Sequence, residues 1–204
     1  MWVCLLLELV IFGGLYLTCM DIKPLIRRWA LAATIGFFSL FSMALVYVAK
    51  EKLNLSGGPV EVIVQTAKSD LRPRLWADSI DFIRERPFTG AGFGRMVLGN
   101  ELVEQQKNRN HSHAHNMVLN YALQLGLLGP IVLLFLFFSV VREFWKLVKS
   151  RDRELKILGI AGLAMVGGVL GQGMIEDIFV RHLGWMFWAL VGMLLGLSAN
   201  KVRA

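Results

Sequence analysis

Three of the chain's four histidines fall close together, at His111, His113 and His115. An imidazole exchanges a proton near neutral pH, so this segment can supply a catalytic base. Alternating histidines can also bind zinc, but such a site needs further ligands, and neither cysteine lies nearby. A third interpretation leaves them on a solvated loop. Asn116 is a good N-cap for the apolar run that follows, and this places His115 at the mouth of a helix, which favours the catalytic base.

Two arginines, Arg72 and Arg74, lie at the start of a predicted helix. Asp70 suits the N-cap, Pro73 is tolerated in the first turn, and Pro87 marks the end. Four apolar residues are predicted to share one face of this helix: Leu75, Trp76, Ile80 and Ile83. The N–H groups and the dipole of a helix start attract anions, and two guanidinium groups add bidentate contacts that suit phosphate. The alternative is a pair of interfacial arginines that contact lipid headgroups.

Residues 89–94 form a glycine-rich segment that contains Gly90 and Gly92. A dinucleotide-binding fingerprint needs a strand before it and a helix after it, but here a helix precedes the glycines. We therefore reject that interpretation. We expect instead a tight loop in which the backbone closely approaches another part of the protein.

Ionisable side chains cluster again in residues 176–182, between two apolar runs. Ionisable groups close to membrane depth are functional candidates. We expect three of them to face the same outward cavity as His115 and the arginines of the predicted helix: Asp177, Arg181 and His182. A simple interfacial turn is the alternative.

The composition places these side chains in a membrane protein. Of the 204 residues, 55% are hydrophobic and 18% are charged, and the mean hydropathy is +0.55. Soluble domains carry about 25% charged residues, and the disordered, collagen-like and disulfide-rich classes are excluded as well. The predicted fold class is therefore all-α, a polytopic integral membrane protein with about five transmembrane helices. The five apolar runs are residues 2–19, 29–49, 117–141, 155–175 and 183–199. The third is long enough to cross with tilt or with a kink at Gly129-Pro130.

Clusters of basic residues predict the orientation. The short loops 20–28 and 142–156 and the C-terminal tail carry lysines and arginines, which indicates a cytoplasmic location. We expect two transmembrane helices in residues 1–49, an external loop with a short helix in 50–115, and three transmembrane helices and a cytoplasmic tail in 116–204. The net charge of +7 then reflects topology and not nucleic-acid binding. The chain would begin outside. A short N-terminal tail can be exported in this way, and the C-terminal part of a longer protein would have the same arrangement.

The last two runs each carry two glycines four residues apart, Gly167 with Gly171 and Gly192 with Gly196. Small residues at this spacing let two helix backbones approach closely in a membrane. Both pairs therefore predict a helix–helix contact.

A set of motifs spans the predicted external loop and the start of the third run. His115-Asn116 is followed by nine residues and then by Gly126-Leu-Leu-Gly129. The upstream motifs read Arg72-Pro-Arg74-Leu-Trp76 and Arg86-Pro87-Phe-Thr-Gly90-Ala-Gly92-Phe-Gly94. This order resembles the O-antigen ligase family, in which an Arg four residues before a Trp precedes a Pro-hydrophobic-x-Gly-x-Gly element, and His-Asn precedes Gly-x-x-Gly by nine residues. The resemblance covers roughly residues 65–145.

The resemblance implies a metal-independent, inverting glycosyltransferase that uses no cofactor. It would lie in the bacterial inner membrane with its active loop facing the periplasm, in contact with membrane lipid. The donor would be an undecaprenyl-diphosphate-linked glycan, and the acceptor hydroxyl would belong to lipid A-core. A polymerase of the same family would use a growing glycan as acceptor. Because the family usually has around a dozen spans, an N-terminal half would be missing.

The resemblance over residues 65–145, together with the ionisable cluster in 176–182, predicts roles for individual residues. His115 would be the catalytic residue, as base, and Arg72, Arg74 and Arg181 would bind the diphosphate. The supporting positions would be Asn116, His113, Trp76, Arg86, Gly90, Gly92, Asp177 and His182, with no metal ligand among them. Two competing interpretations are an inactive truncated membrane fragment and a metal-handling transporter with a histidine loop.

Overall fold

The computed structural model describes residues 2–52, 58, 60–61, 64, 70–94, 97–104, 113–180 and 182–203. These residues fold into α-helices and one short 3-10 turn, with no β-strand among them. The helices are α1 Trp2–Cys19, α2 Pro24–Lys52, α3 Arg72–Glu85, α4 Val97–Glu104, α5 Met117–Leu125, α6 Leu128–Val148, α7 Arg153–Gly173 and α8 His182–Arg203, with the 3-10 turn Ile178–Val180 before α8. The predicted all-α fold class is confirmed.

Three helices of the described chain are long and apolar enough to cross a membrane. They are Pro24–Val48 within α2, Arg153–Gly173, which is α7, and Leu183–Lys201 within α8. The first apolar run forms α1, within which the apolar stretch Leu5–Cys19 is shorter than these three. Because a helix rises about 1.5 Å per residue, about 20 residues match a hydrocarbon core of about 30 Å. The second, fourth and fifth predicted spans therefore have the length and composition of membrane helices.

The third apolar run does not form one helix. The predicted span over residues 117–141 is divided into two helices and not merely tilted or kinked at Gly129-Pro130, because α5 ends at Leu125 and α6 begins at Leu128. Gly126 adopts a φ of +66°, outside the helical region. The N–H of Leu127 donates to the Pro87 carbonyl over 2.7 Å, so a contact from the preceding loop replaces a helical hydrogen bond.

The chain divides into two compact units. The smaller unit comprises Met20–Pro73 and contains α2. The larger unit comprises Met1–Cys19 and Arg74–Ala204. The predicted division into membrane and external segments concerns topology, and it stays a prediction.

Within the larger unit, α1 packs against glycines of α7. A Cβ atom added at Gly167 or Gly171 would overlap an aliphatic side chain of α1. The predicted close contact of this pair is therefore confirmed. Gly192 and Gly196 of α8 have nothing within 4 Å in the described part of the chain, so their predicted contact is not found there.

Aromatic packing joins α6, the 3-10 turn and α8. Phe179 of the turn stacks on Trp188, with ring planes 15° apart, and Phe137 of α6 lies 5.7 Å from Phe187 between ring centroids. Phe144 of α6 is completely buried against α7. The 3-10 turn is therefore held by aromatic contacts of Phe179 to both α6 and α8.

The helix predicted to begin near Asp70 is confirmed as α3, whereas its location outside the membrane stays a prediction. The carboxylate of Asp70 accepts the backbone N–H of Arg72 over 2.9 Å, and the helix ends just before Pro87. The predicted apolar face of this helix is wrong in part, since Ile80, which the sequence pattern assigns to it, is exposed. The buried residues of α3 are Leu75, Ser79 and Phe82.

These residues of α3 belong to a small apolar core that also includes α4 and α5. Leu75, Phe82, Leu98 and Leu123 pack together and are almost inaccessible. Ala114, which stands between two histidines in the sequence, is fully buried in the same core. Its burial fixes the histidine segment at the start of α5.

Candidate active site

Two histidines and a glutamate meet where α5 begins and α7 ends. His113 Nε2 lies 2.7 Å from Glu176 Oε1, and His115 Nδ1 lies 3.0 Å from Glu176 Oε2. The two imidazole rings are 4.3 Å apart between centroids. We refer to His113, His115 and Glu176 as the His–Glu cluster. Its side chains are 14%, 29% and 39% exposed, respectively, so a reactant outside the protein can reach them.

The backbone of His115 adopts a conformation that is uncommon for residues other than glycine. Its φ is +49°, which makes it the one non-glycine residue with a positive φ in the described chain. The left-handed region costs an L residue about 1–2 kcal/mol and persists where neighbouring contacts enforce it. Here the indole N–H of Trp76 donates to the carbonyl of buried Ala114 over 2.9 Å. The ring of His115 is therefore presented by a firmly anchored segment.

Two asparagines clamp the turn after α7 to the start of α5. The side-chain oxygen of Asn116 accepts a backbone N–H in the first turn of α5 over 3.0 Å, which confirms the predicted N-cap. Its amide group donates to the Met174 carbonyl over 3.2 Å. One helical turn further on, Asn120 donates to the carboxylate of Asp177. This clamp holds Glu176, which lies between these two contacts, close to the histidines.

The two adjacent carboxylates have different electrostatic surroundings. Burial raises the pKa of Asp177, although two hydrogen bonds and the charge of His113 act in the opposite direction. Burial also acts to raise the pKa of Glu176, but the hydrogen bonds from His113 and His115 outweigh it, so this pKa lies below its usual value. Glu176 is therefore the carboxylate suited to balance a positive charge on an imidazole, whereas Asp177 is a buried structural partner.

The sequence interpretation misses Glu176. Within residues 176–182 it selects Asp177, whose carboxylate in the structure bonds to Asn120 and to the backbone of Phe179. The sequence signal that could have identified Glu176 was its position directly after an apolar span. Its partner His115 lies 61 residues away in the sequence, and no local pattern shows which of two adjacent carboxylates faces it.

Arg72 and Arg74 fall in different units of the protein. Arg72 belongs to the smaller unit, where its guanidinium pairs with the Asp70 carboxylate at 3.2 Å. Arg74 belongs to the larger unit and is exposed in the first turn of α3. Their convergence with His115 stays a prediction.

The structure describes the remaining predicted site residues only in part. Arg181 and His111 lie outside the described residues. His182 begins α8, and its side chain is not described. Arg86 is exposed, and its carbonyl accepts the Gly90 N–H over 3.0 Å in the turn after α3.

The glycine-rich segment docks on the end of α5 that is opposite the His–Glu cluster. The Ala91 N–H donates to the Leu123 carbonyl over 2.8 Å, and the Gly92 N–H donates to the Gln124 carbonyl over 3.2 Å. Gly90 has a φ of +66°, and a Cβ atom there would overlap the Gln124 carbonyl. The predicted close backbone approach is confirmed. Because a nine-residue helix is about 12 Å long at 1.5 Å per residue, the glycines position α5 from its far end.

Gly126 completes the same contact from the side of α5. A Cβ atom added there would lie 2.6 Å from the backbone carbonyl carbon of Phe88. Gly90 and Gly126 therefore meet with no room for a side chain at either position. Two motifs that are separate in the sequence form one interlocked turn.

A cavity of about 500 Å³ lies beside the His–Glu cluster, between α1, α7 and α8. Its polar lining includes Glu176 and Asp177, together with Glu8 of α1 and Gln172 of α7. The remaining wall is mainly apolar and includes Leu5, Met165, Val169, Leu183, Met186 and Leu190. The cavity can accommodate an apolar chain next to ionisable groups.

Residues 2–134 match the family model described as O-Antigen ligase. The match covers 133 of the 204 residues, about two thirds of the chain. It includes His115 and Asn116 and ends before Glu176. A comparison with curated proteins finds no match.

Proposed function

This chain belongs to the O-antigen ligase family, and on that premise we propose that it transfers a glycan from undecaprenyl diphosphate to an acceptor hydroxyl of lipid A-core. The reaction takes place at the periplasmic face of the bacterial inner membrane, needs no metal and inverts the anomeric configuration. The proposal rests on one observation: just before the N-terminus of α5, the Glu176 carboxylate holds the imidazole of His115 in a position that reactants can reach.

In this proposal His115 is the general base. Glu176 accepts the Nδ1–H hydrogen bond, fixes the tautomer and balances the positive charge that develops on the ring. Nε2 then takes the proton of the acceptor hydroxyl. The acceptor oxygen attacks the anomeric carbon, and the bond from that carbon to the diphosphate oxygen breaks. Base catalysis of this kind contributes about 10²–10⁴-fold to the rate.

The arginines Arg72, Arg74 and Arg181 bind the departing diphosphate. A guanidinium group keeps its charge at all relevant pH values, and its fork matches two phosphate oxygens. Arg74 is exposed in the first turn of α3, and the start of a helix favours anions. Trp76, on the same helix, bonds to the carbonyl of the residue before His115, so the helix that carries Arg74 is anchored next to the base.

Charge asymmetry supports a periplasmic site. Basic residues lie at the start of α7 and near the end of α8, at Arg151, Arg153 and Lys201, whereas the His–Glu cluster follows the opposite end of α7. Short basic segments remain in the cytoplasm. Since α7 is long enough to cross the membrane, the cluster lies on the other side.

The polyprenyl chain of the donor occupies the cavity between α1, α7 and α8. Its wall is mainly apolar, as a hydrocarbon chain requires, and Glu176 of the His–Glu cluster belongs to the lining. A chain bound there brings its diphosphate to the membrane surface beside the base. This arrangement explains why the base lies at the mouth of a helix that faces the membrane boundary.

The test is transfer in proteoliposomes that contain the full chain, an undecaprenyl-diphosphate-linked glycan and lipid A-core, without added metal. We expect His115→Ala to lower the rate about 10²–10⁴-fold, because it removes the base. His111→Ala is the matched control, since it removes a histidine of the same segment to which no role is assigned, and transfer should persist. Unchanged transfer in His115→Ala would contradict the proposed role of His115.

A second acceptor separates a ligase from a polymerase. The same base and arginines serve both reactions, which differ only in the hydroxyl that attacks. The assay is therefore repeated with an undecaprenyl-diphosphate-linked glycan as the only acceptor. Transfer to lipid A-core alone identifies a ligase, and glycan chains that lengthen without lipid A-core identify a polymerase.

A further inference from the structure

We propose that the His–Glu cluster also binds a divalent transition-metal ion of the zinc type, and that this ion inhibits glycan transfer. The binding is inferred from the geometry of His113, His115 and Glu176. The inhibition rests on the proposed function of His115 as base. The ion is thus an inhibitor that competes for the catalytic side chains, and not a cofactor of the reaction.

The three side chains present their donor atoms to one point. One atom from each of His113, His115 and Glu176 lies within 4.8 Å of the other two. Zn–N and Zn–O bonds of about 2.0–2.2 Å place tetrahedral ligands about 3.3 Å apart. The distances to the same oxygen, Glu176 Oε1, are 2.7 Å from His113 Nε2 and 3.1 Å from His115 Nδ1, and the two ring nitrogens lie within 4.8 Å of each other. The oxygen must therefore move slightly away from the imidazoles and the two nitrogens must approach each other, which small side-chain rotations allow, to admit an ion.

The cluster is held in place and open to ions from outside. The hydrogen bond from Trp76 fixes Ala114 between the two histidines, and Asn116 ties the segment to the turn that carries Glu176. Each side chain of the cluster is partly exposed, so an ion can enter and keep a water molecule as a fourth ligand. A preorganised site of this kind loses little freedom when it binds.

The donor set selects the class of ion. Two imidazole nitrogens and one carboxylate oxygen suit zinc and its neighbours in the transition series. Magnesium and calcium prefer sites made entirely of oxygen ligands. The cluster should therefore bind Zn²⁺ or Co²⁺ and discriminate against Mg²⁺.

Coordination would inactivate His115 by changing its tautomer. When Nδ1 donates its proton to Glu176, the other ring nitrogen, Nε2, accepts the proton of the substrate. When Nδ1 binds a metal ion, a neutral imidazole must carry its proton on Nε2, which then donates and no longer accepts. The ion also takes Glu176 away from the ring. One binding event therefore removes both the base and its carboxylate partner.

Binding is tested first, without any substrate. The full purified chain is dialysed against Zn²⁺ in nanodiscs and the bound metal is counted by atomic emission, with Co²⁺ absorption as a report on tetrahedral coordination. We expect one ion per chain, at least about tenfold weaker binding in His113→Ala and Glu176→Gln, and no competition from Mg²⁺. Glu143→Gln, in which the changed carboxylate pairs with Lys146 on α6, is the matched control and should bind as the wild type does. Far-ultraviolet circular dichroism checks that each variant is folded.

Inhibition is then measured with the transfer assay, and each variant is compared with its own rate in the absence of zinc. We expect Zn²⁺ to inhibit the wild type, and His113→Ala to require at least about tenfold more Zn²⁺ for the same fractional inhibition. A folded wild type that binds no Zn²⁺, or the same affinity in all variants, would overturn the metal site. Stoichiometric binding with undiminished transfer would overturn the inhibition. A chain that binds Zn²⁺ but transfers no glycan in its absence would count against the proposed function and leave the metal site established.

Discussion

His115 depends on residues that are distant from it in the sequence. Glu176 lies within hydrogen-bonding distance of its Nδ1, and Trp76 anchors the carbonyl of the preceding residue. The left-handed backbone of His115 is tolerated because these contacts and the Asn116 cap hold both sides of it. The reactivity of one imidazole is thus set by three separate segments of the chain.

Glu176→Gln tests this dependence at the level of one atom. The amide keeps the size of the side chain but cannot balance the charge of an imidazolium, so kcat should fall about 10²-fold. The KM for the lipid-linked donor should change little, because the diphosphate is bound elsewhere. Initial rates over a range of donor concentrations separate the two constants. A rise in KM with an unaltered kcat would show that Glu176 serves donor binding and not the base.

A buried carboxylate makes Asn120 important for stability. Asp177 is only 3% exposed, and the Asn120 amide donates to it. Asn120→Ala leaves this buried acceptor without that donor and should lower the free energy of unfolding by about 1–3 kcal/mol. Thermal unfolding in detergent measures the change. Asn200→Ala, at an exposed position of α8, is the control and should have little effect; equal stability of both variants would contradict the expected role of Asn120.

At the scale of elements, α5 works as a short spacer between two fixed ends. Its first turn is capped by Asn116 beside the His–Glu cluster, and its last carbonyls accept the N–H groups of Ala91 and Gly92. The third apolar run divides here because Gly126 lets the backbone turn and the preceding loop supplies the missing hydrogen-bond partners. The glycine-rich loop therefore helps to set the position of His115 indirectly, because it fixes the opposite end of α5.

Gly90→Ala should disrupt this spacer. The new Cβ would lie 2.6 Å from the Gly126 nitrogen, and the backbone at φ +66° is strained for alanine. We expect a loss of stability of at least about 1–3 kcal/mol, together with lower transfer at temperatures where the variant is folded. Gly192→Ala is the control, because open space surrounds that position in the described chain. Thermal unfolding of the two variants measures the difference in stability. A Gly90→Ala protein as stable as the control would contradict the close contact between Gly90 and Gly126.

At the scale of the whole molecule, the proposed function requires a particular membrane topology. Met174, in the turn beside the His–Glu cluster, and Ser150, in the basic segment before α7, lie at opposite ends of a helix that is long enough to span the bilayer. Basic residues near Ser150 should retain that end in the cytoplasm.

Cysteine labelling tests this topology. In a background with Cys4→Ser and Cys19→Ser, a membrane-impermeant thiol reagent applied from the periplasmic side should label Met174→Cys and spare Ser150→Cys. Met174 is 40% exposed, so its replacement is accessible without unfolding. Permeabilised membranes are the control, in which both positions should react. The reverse pattern would place the His–Glu cluster in the cytoplasm, where the proposed donor is not presented.

The sequence alone was sufficient for those features that depend on local patterns. Composition and the length of apolar runs identify an all-α membrane protein, because hydrophobic length is compared directly with bilayer thickness. The limits of α3 and the cap at Asn116 follow from prolines and short polar side chains, which act within a few residues. The family follows from the spacing of motifs, and it is confirmed by a match over residues 2–134.

Tertiary structure decided which residues meet. Glu176 pairs with a histidine 61 positions away, and the turn at Gly126 exists because a loop from another segment docks there. The buried face of α3 is also set by its neighbours, which cover Ser79 and leave Ile80 exposed. Contacts of this kind depend on how helices pack and on which polar groups are left to be satisfied. They arise only when distant parts of the chain come together, and for that reason no local pattern in the sequence specifies them.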